Sequence, residues 1–102
     1  MPKKIRPVHP GEHLREDFLK PMNLSANRLA MDLHVPVTRI ADILAGRRGV
    51  TSDTALRLAR YFKTTPEFWM NMQTRYELDV AEDEFLSRIV REVHPREITA
   101  TR

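Results

Sequence analysis

A chain of 102 residues, 41% of them hydrophobic, is one domain's worth of sequence with a modest core. It contains no cysteine, which excludes disulfides and thiolate metal sites, and no apolar run approaches the roughly eighteen residues of a membrane span. Its net charge of +3 is unevenly placed, with 13 Lys/Arg against 7 Asp/Glu through residue 76 and 4 against 7 after it. A basic body with an acidic tail suits an anionic partner at one surface and a different partner at another. The N-terminus MPKKIRP is basic but runs into polar sequence rather than a secretory apolar segment, which points to the cytoplasm.

The predicted elements are helices throughout, because no stretch alternates apolar and polar residues between turn signals. Pro10 and Gly11 open a first helix that places Leu14 and Phe18 four apart, and Pro21 is expected to close it. Ser25 caps Ala26–Leu33, with Leu29 and Leu33 on one stripe. Pro36 starts a third helix carrying Ile40, Ile43 and Leu44, and Gly46 stops it. Thr51 or Ser52 caps a fourth, in which Ala55, Leu58, Ala59 and Phe62 repeat at helical spacing. Thr65 caps a fifth, with Pro66 at its first position and Glu67 in its first turn. The expected fold is all-α: a five-helix, lambda-repressor-like helix-turn-helix bundle with a possible additional C-terminal helix.

The link between the second and third helices is the informative one. Leu33-His34-Val35-Pro36 leaves so short a turn that the helices must cross steeply, the helix-turn-helix geometry. Ala30 supplies the small residue where they touch, and His34 takes the turn position that calls for positive φ. On the third helix Thr38, Asp42 and Ala45 fall opposite Ile40, Ile43 and Leu44, with Arg39 beside them. Such a face suits a DNA major groove: threonine bonds a base edge, arginine pairs with guanine, and Val37 meets a thymine methyl. Asp42 suits it only opposite a cytosine amine, and the competing reading is a surface ion pair between Arg39 and Asp42, three apart. The base-reading set is therefore Val37, Thr38, Arg39 and Asp42.

Arg47 and Arg48 stand between Gly46 and Gly49, directly after that helix. There the loop would run along a sugar–phosphate backbone, and guanidinium groups grip phosphate oxygens in a fork. The starts of two helices, at Ser25 and Asn27 and at Thr51 and Ser52, offer hydroxyls and N–H groups to further phosphates. Taken alone, an Arg-Arg pair in a loop is a solvated pair.

Three stretches carry a resemblance: HPGEHLREDFL (9–19), RLAxxLxVPxxRIxxILxGRRGVTxDTALRLARYF (28–62) and TPEFWMNMQ (65–73). In this order they resemble the HigA/VapI-type antitoxins, XRE-class helix-turn-helix proteins, continuously from about His9 to Gln73. His34 and Lys63 stand where the family ordinarily has glycine. The resemblance implies an antitoxin that dimerises, binds and represses a palindromic operator in its own promoter, and neutralises a HigB-type mRNA endonuclease toxin. A stand-alone XRE-type regulator, or an interaction module that no longer reads DNA, are the alternatives.

The fifth helix supports pairing on physical grounds. Phe68, Trp69, Met72, Tyr76 and Val80 share a sector while Met70 points away, more apolar surface than a terminal helix of a small bundle needs. Trp69, Met70, Gln73 and Tyr76 are accordingly the expected dimer contacts, spacing two recognition helices about one DNA turn (~34 Å) apart. Beyond Gln73 the acids Glu77, Asp79, Glu82, Asp83 and Glu84 precede an amphipathic stripe of Phe85, Leu86, Ile89, Val90 and Val93. That stripe must be covered by its own body, a sister chain or a toxin. The acidic run and the arm Lys3–Val8 are alternative toxin contacts, and Ile98 to Arg102 is expected to be disordered. The domain plan is an arm (1–9), a DNA-binding domain (10–80) and a C-terminal extension (81–102). The histidines at 9, 13, 34 and 94 lack metal-ligand spacing, and no catalytic motif is present. The chain is read as a non-enzyme without cofactor, metal, membrane association or small-molecule substrate.

Overall fold

The computed structural model describes residues 6–97, all of whose regular structure is helical. Residues 3–5 of the expected arm and the expected disordered stretch from Ile98 onward lie outside the described residues. The first helix begins as α1 (Pro10–His13), with the His9 ring as its cap: Nδ1 accepts the Gly11 N–H at 2.9 Å. It widens into a π-helical segment (Leu14–Leu19) and returns to α geometry as α2 (Lys20–Met22).

Pro21 therefore does not close this helix, contrary to the sequence expectation. A proline inside a helix lacks an N–H to donate and crowds the carbonyl four residues back. Here the Lys20 N–H already reaches to the Arg15 carbonyl, so the ladder has slipped by one residue just before the ring arrives. Asn23, at φ 53°, ends the helix instead.

Helices α3 (Ala26–Leu33) and α4 (Val37–Leu44) form the helix-turn-helix. The Ser25 hydroxyl accepts the Arg28 N–H at 3.0 Å, the expected cap. His34 takes the left-handed conformation at φ 60°, and the Val35 N–H closes the turn on the Ala30 carbonyl at 3.1 Å. A non-glycine residue there costs roughly 1 kcal/mol, which the buried contacts of Leu29, Ala30, Leu33, Ile40 and Ile43 offset. Two long side chains then tie down the orphan carbonyls at the helix ends: Arg57 Nη1 donates to Leu33 O at 2.8 Å, and Arg15 Nη1 to Leu44 O at 3.0 Å.

Helix α5 (Ser52–Phe62) follows Thr51 and ends at Lys63, a third left-handed residue after Asn23 and His34, at φ 60° where the family resemblance has glycine. Helix α6 (Pro66–Glu92) is capped by Thr65, whose hydroxyl accepts the Phe68 N–H at 3.1 Å. Its Trp69 is completely buried at the centre of the core, against Phe18, Phe62 and Phe68, and donates its ring N–H to Thr64 at 2.8 Å. Gly11 lies so close to α4 that a Cβ there would sit 1.9 Å from the Ile43 carbonyl oxygen, so this contact admits no side chain.

The amphipathic tail is not a separate helix. It is the second half of α6, which runs for 27 residues, about 40 Å, because no Gly or Pro interrupts it before Pro95. Every described residue from 82 onward is exposed, so the tail lies beyond the bundle. Among the described residues no helix is long and apolar enough to cross a membrane.

Candidate nucleic-acid interface

Burial of Ile40 and Ile43 fixes the roll of α4 and turns Val37, Thr38, Ala41 and Ala45 to solvent. Val37 and Thr38 thus stand on the outward face as expected. Ala41 was missed, although its position four residues after Val37 places it in the same row. Arg39 and Asp42 are half-buried side by side along one flank of the face, and the ion pair of the competing reading does not form between them. Arg39 instead reaches Asp53 at the start of α5, 2.7 Å away, and Arg57 shares the same carboxylate at 2.9 Å. Those hydrogen bonds, from Arg57 first and then Arg39, hold the Asp53 carboxyl below its usual range. Asp42 pairs with Arg47, whose Nη2 and Nε lie 2.8 and 3.2 Å from Oδ1.

The loop carrying the two arginines is built on Asp42 and α6. The Asp42 carbonyl accepts the N–H groups of Arg47 (2.8 Å) and Arg48 (3.3 Å), and Gly46 turns the chain at φ 77°. On the far side of the loop the buried Gln73 side chain accepts the Val50 N–H at 2.7 Å and packs where a Cβ on Gly49 would need to be. The His9 ring lies under Gly46 and edge-on to Tyr76, with 4.9 Å between centroids. Burial lowers the His9 pKa, partly countered by a hydrogen bond to the Arg48 backbone. The Arg47 and Arg48 side chains are exposed, and the Arg48 guanidinium has no partner among the described residues.

Ser25, Asn27, Thr51 and Ser52 are all exposed at their helix starts. The Ser25 oxygen is occupied as a cap acceptor but its O–H remains available as a donor. Next to it lies a shallow depression of about 420 Å³ lined by Arg15, Leu19, Lys20, Asn23, Leu24 and Ser25. Its two cations, Arg15 and Lys20, are both paired with Glu16, at 3.2 and 2.9 Å.

Two of the four expected dimer contacts require correction. Trp69 and Gln73 are buried within the chain itself, one as the core's central ring and the other as the support of the arginine loop, so neither has surface to offer a partner. Met70 and Tyr76 keep part of their surface. The larger apolar area lies further along α6, where Leu78, Phe85, Leu86, Ile89, Val90 and Val93 are all exposed. At 3.6 residues per turn this stripe faces about 140° away from Trp69, Gln73 and Tyr76, so the chain's own body cannot cover it.

Residues 16–69 match the helix-turn-helix family. The chain is 56% identical to virulence-associated protein I of Dichelobacter nodosus over 77 residues, covering 76% of this chain and 71% of that one. Among solved structures it is similar to an addiction module antidote protein of the HigA family from Coxiella burnetii, with TM-score 0.86, 47% identity, and 90% and 100% of the two chains covered. It is equally similar to the Pseudomonas aeruginosa antitoxin HigA solved with the higBA promoter, with TM-score 0.88, 41% identity and the same coverage.

Proposed function

Because the chain belongs to the XRE-class helix-turn-helix family of HigA/VapI-type antitoxins, we propose that it is the antitoxin of a type II toxin–antitoxin module. As a homodimer in the bacterial cytoplasm, and on the nucleoid when DNA-bound, it represses its own operon by binding a palindromic operator and neutralises a HigB-type mRNA endonuclease. The observation that carries the DNA half is the uncovered outward face of α4, flanked at its C-terminal end by two exposed arginines.

In this reading Val37, Thr38 and Ala41 enter the major groove, with Arg39 and Asp42 reading base edges from the flank beside Thr38. Arg47, Arg48, Ser25, Asn27, Thr51 and Ser52 hold the backbone and set the register. The domain plan follows, with residues 10–80 reading DNA and residues 81–102 serving protein contacts. The exposed stripe of α6 pairs two copies, with Met70 and Tyr76 on a separate surface as the other candidate for that contact, while the acidic run from Glu77 to Glu84 is the surface for a basic toxin. Asp42 lends weight to a second reading, an interaction module without DNA reading, because a carboxylate beside the groove repels phosphate.

One experiment separates the two. Arg47→Ala with Arg48→Ala should abolish the gel shift of a duplex spanning the chain's own promoter and leave toxin binding intact. Removing two phosphate contacts also flattens the slope of log affinity on log salt by about 1.8 per protomer. Unchanged affinity and slope would overturn the DNA reading.

A further inference from the structure

Resting on the DNA reading above, we propose that Asp42 is a specificity-determining latch that makes the phosphate grip of Arg47 conditional on a cytosine in the half-site. The two residues cannot both keep their present partner and engage DNA. In the free chain the Arg47 guanidinium is bonded to Asp42 Oδ1 through two nitrogens, at 2.8 and 3.2 Å. The Arg47 side chain is 66% exposed and that of Asp42 32%, so the pair is a surface ion pair of little intrinsic strength. A phosphate is a competing anion for the same fork, and it takes Arg47 at small cost.

What it leaves behind decides the outcome. Asp42 then stands at the edge of the reading face with an acceptor-only carboxylate beside phosphates and base acceptors. Guanine presents N7 and O6, thymine presents O4, and adenine sets the acceptor N7 next to its amine; cytosine alone offers a donor without an acceptor on the same base. Where cytosine is present, the Asp42 carboxylate exchanges one donor for another. Elsewhere it either goes unpaired or keeps Arg47, and the phosphate contact is lost. The loop itself does not depend on this exchange, because the Asp42 backbone carbonyl continues to hold the N–H groups of Arg47 and Arg48. Swapping the side chain therefore leaves the arginines in place.

The test is selection from a randomised duplex library by the wild-type chain and by Asp42→Asn, with Asp42→Ala as a second variant and thermal melting as the folding control. The wild type should select a motif containing a cytosine at one half-site position. Both variants should lose that preference, the asparagine chain turning to adenine, whose N6 and N7 match a carboxamide. Affinity for the unselected pool should rise, by up to about fivefold if the lost pair and repulsion have the size usual for surface charges. Identical motifs for wild type and folded variants, or unchanged affinity for the pool, overturn the latch. A wild-type chain that selects no motif at all overturns the DNA reading itself, and does so before any variant is examined.

Discussion

His9 shows how much one residue can join. Its ring caps α1 through Nδ1, supports Gly46 in the arginine loop and packs against Tyr76 of α6, so three elements meet on an imidazole that must be neutral at Nδ1 to accept the Gly11 N–H. Burial lowers its pKa below the ordinary 6.5. The unfolded chain therefore binds the proton more readily than the folded one, and the stability that His9 contributes is complete above pH 6.5 and lost as pH falls through the lower folded value. Melting temperature measured from pH 7.5 to 5 should fall on acidification, and fall less in His9→Asn, which keeps a cap acceptor without a titrating ring. Equal slopes for the two proteins would remove His9 from the account. Pro10 and Gly11 were visible in the sequence as a helix start, but the part His9 plays at that start and under the loop was not, because Gly46 and Tyr76 lie far from it along the chain.

At the scale of elements, the arginine loop is held, besides His9, by two neighbours: α4, through the Asp42 carbonyl, and α6, through Gln73. Gln73 is the only contact of the two that a single substitution removes without touching the reading face. Its Oε1 accepts the Val50 N–H and its Nε2 reaches Glu77 at 2.9 Å. Gln73→Ala leaves the Val50 N–H without that acceptor in a buried position, at a cost of about 1–3 kcal/mol. Chemical denaturation should show that loss, and amide exchange should show faster opening at Val50 and the glycines flanking the arginines than in α3. Sequence reading put Gln73 at a dimer surface because it sits in an apolar-patterned helix near Tyr76. Period alone cannot tell an outward polar residue from one turned inward to satisfy a loop. The caps at Ser25 and Thr65 and the left-handed His34 were legible, since each depends on bonds within a few residues.

For the whole molecule, the decisive feature is that α6 outruns the bundle. Its first half presents Trp69 to the core; its second half carries Phe85, Leu86, Ile89 and Val90, with Val93 just past its end, on another side, exposed and beyond reach of the body. Ile89→Glu should leave the helical fold intact and lower the melting temperature only by what pairing contributes, since that side chain is exposed in the single chain. In light scattering the wild type should run at dimer mass and the variant at monomer mass. Without the second half-site contact, its operator affinity should fall by about 100-fold or more. Wild-type mass in the variant would place pairing elsewhere, with Met70 and Tyr76 the next surface to test.

The sequence by itself determined that the chain is helical, the caps at Ser25 and Thr65 and the short turn between α3 and α4, because these rest on spacing and local hydrogen bonding, and its ordered motifs carried the family resemblance. Tertiary structure alone decided which partner each charge takes: Arg39 with Asp53, Asp42 with Arg47, and Arg48 with none among the described residues. It also decided that Trp69 and Gln73 turn inward and that the tail stripe is left outside. A side chain's partner depends on which distant atoms packing brings within about 3 Å, and no periodicity within one helix carries that information.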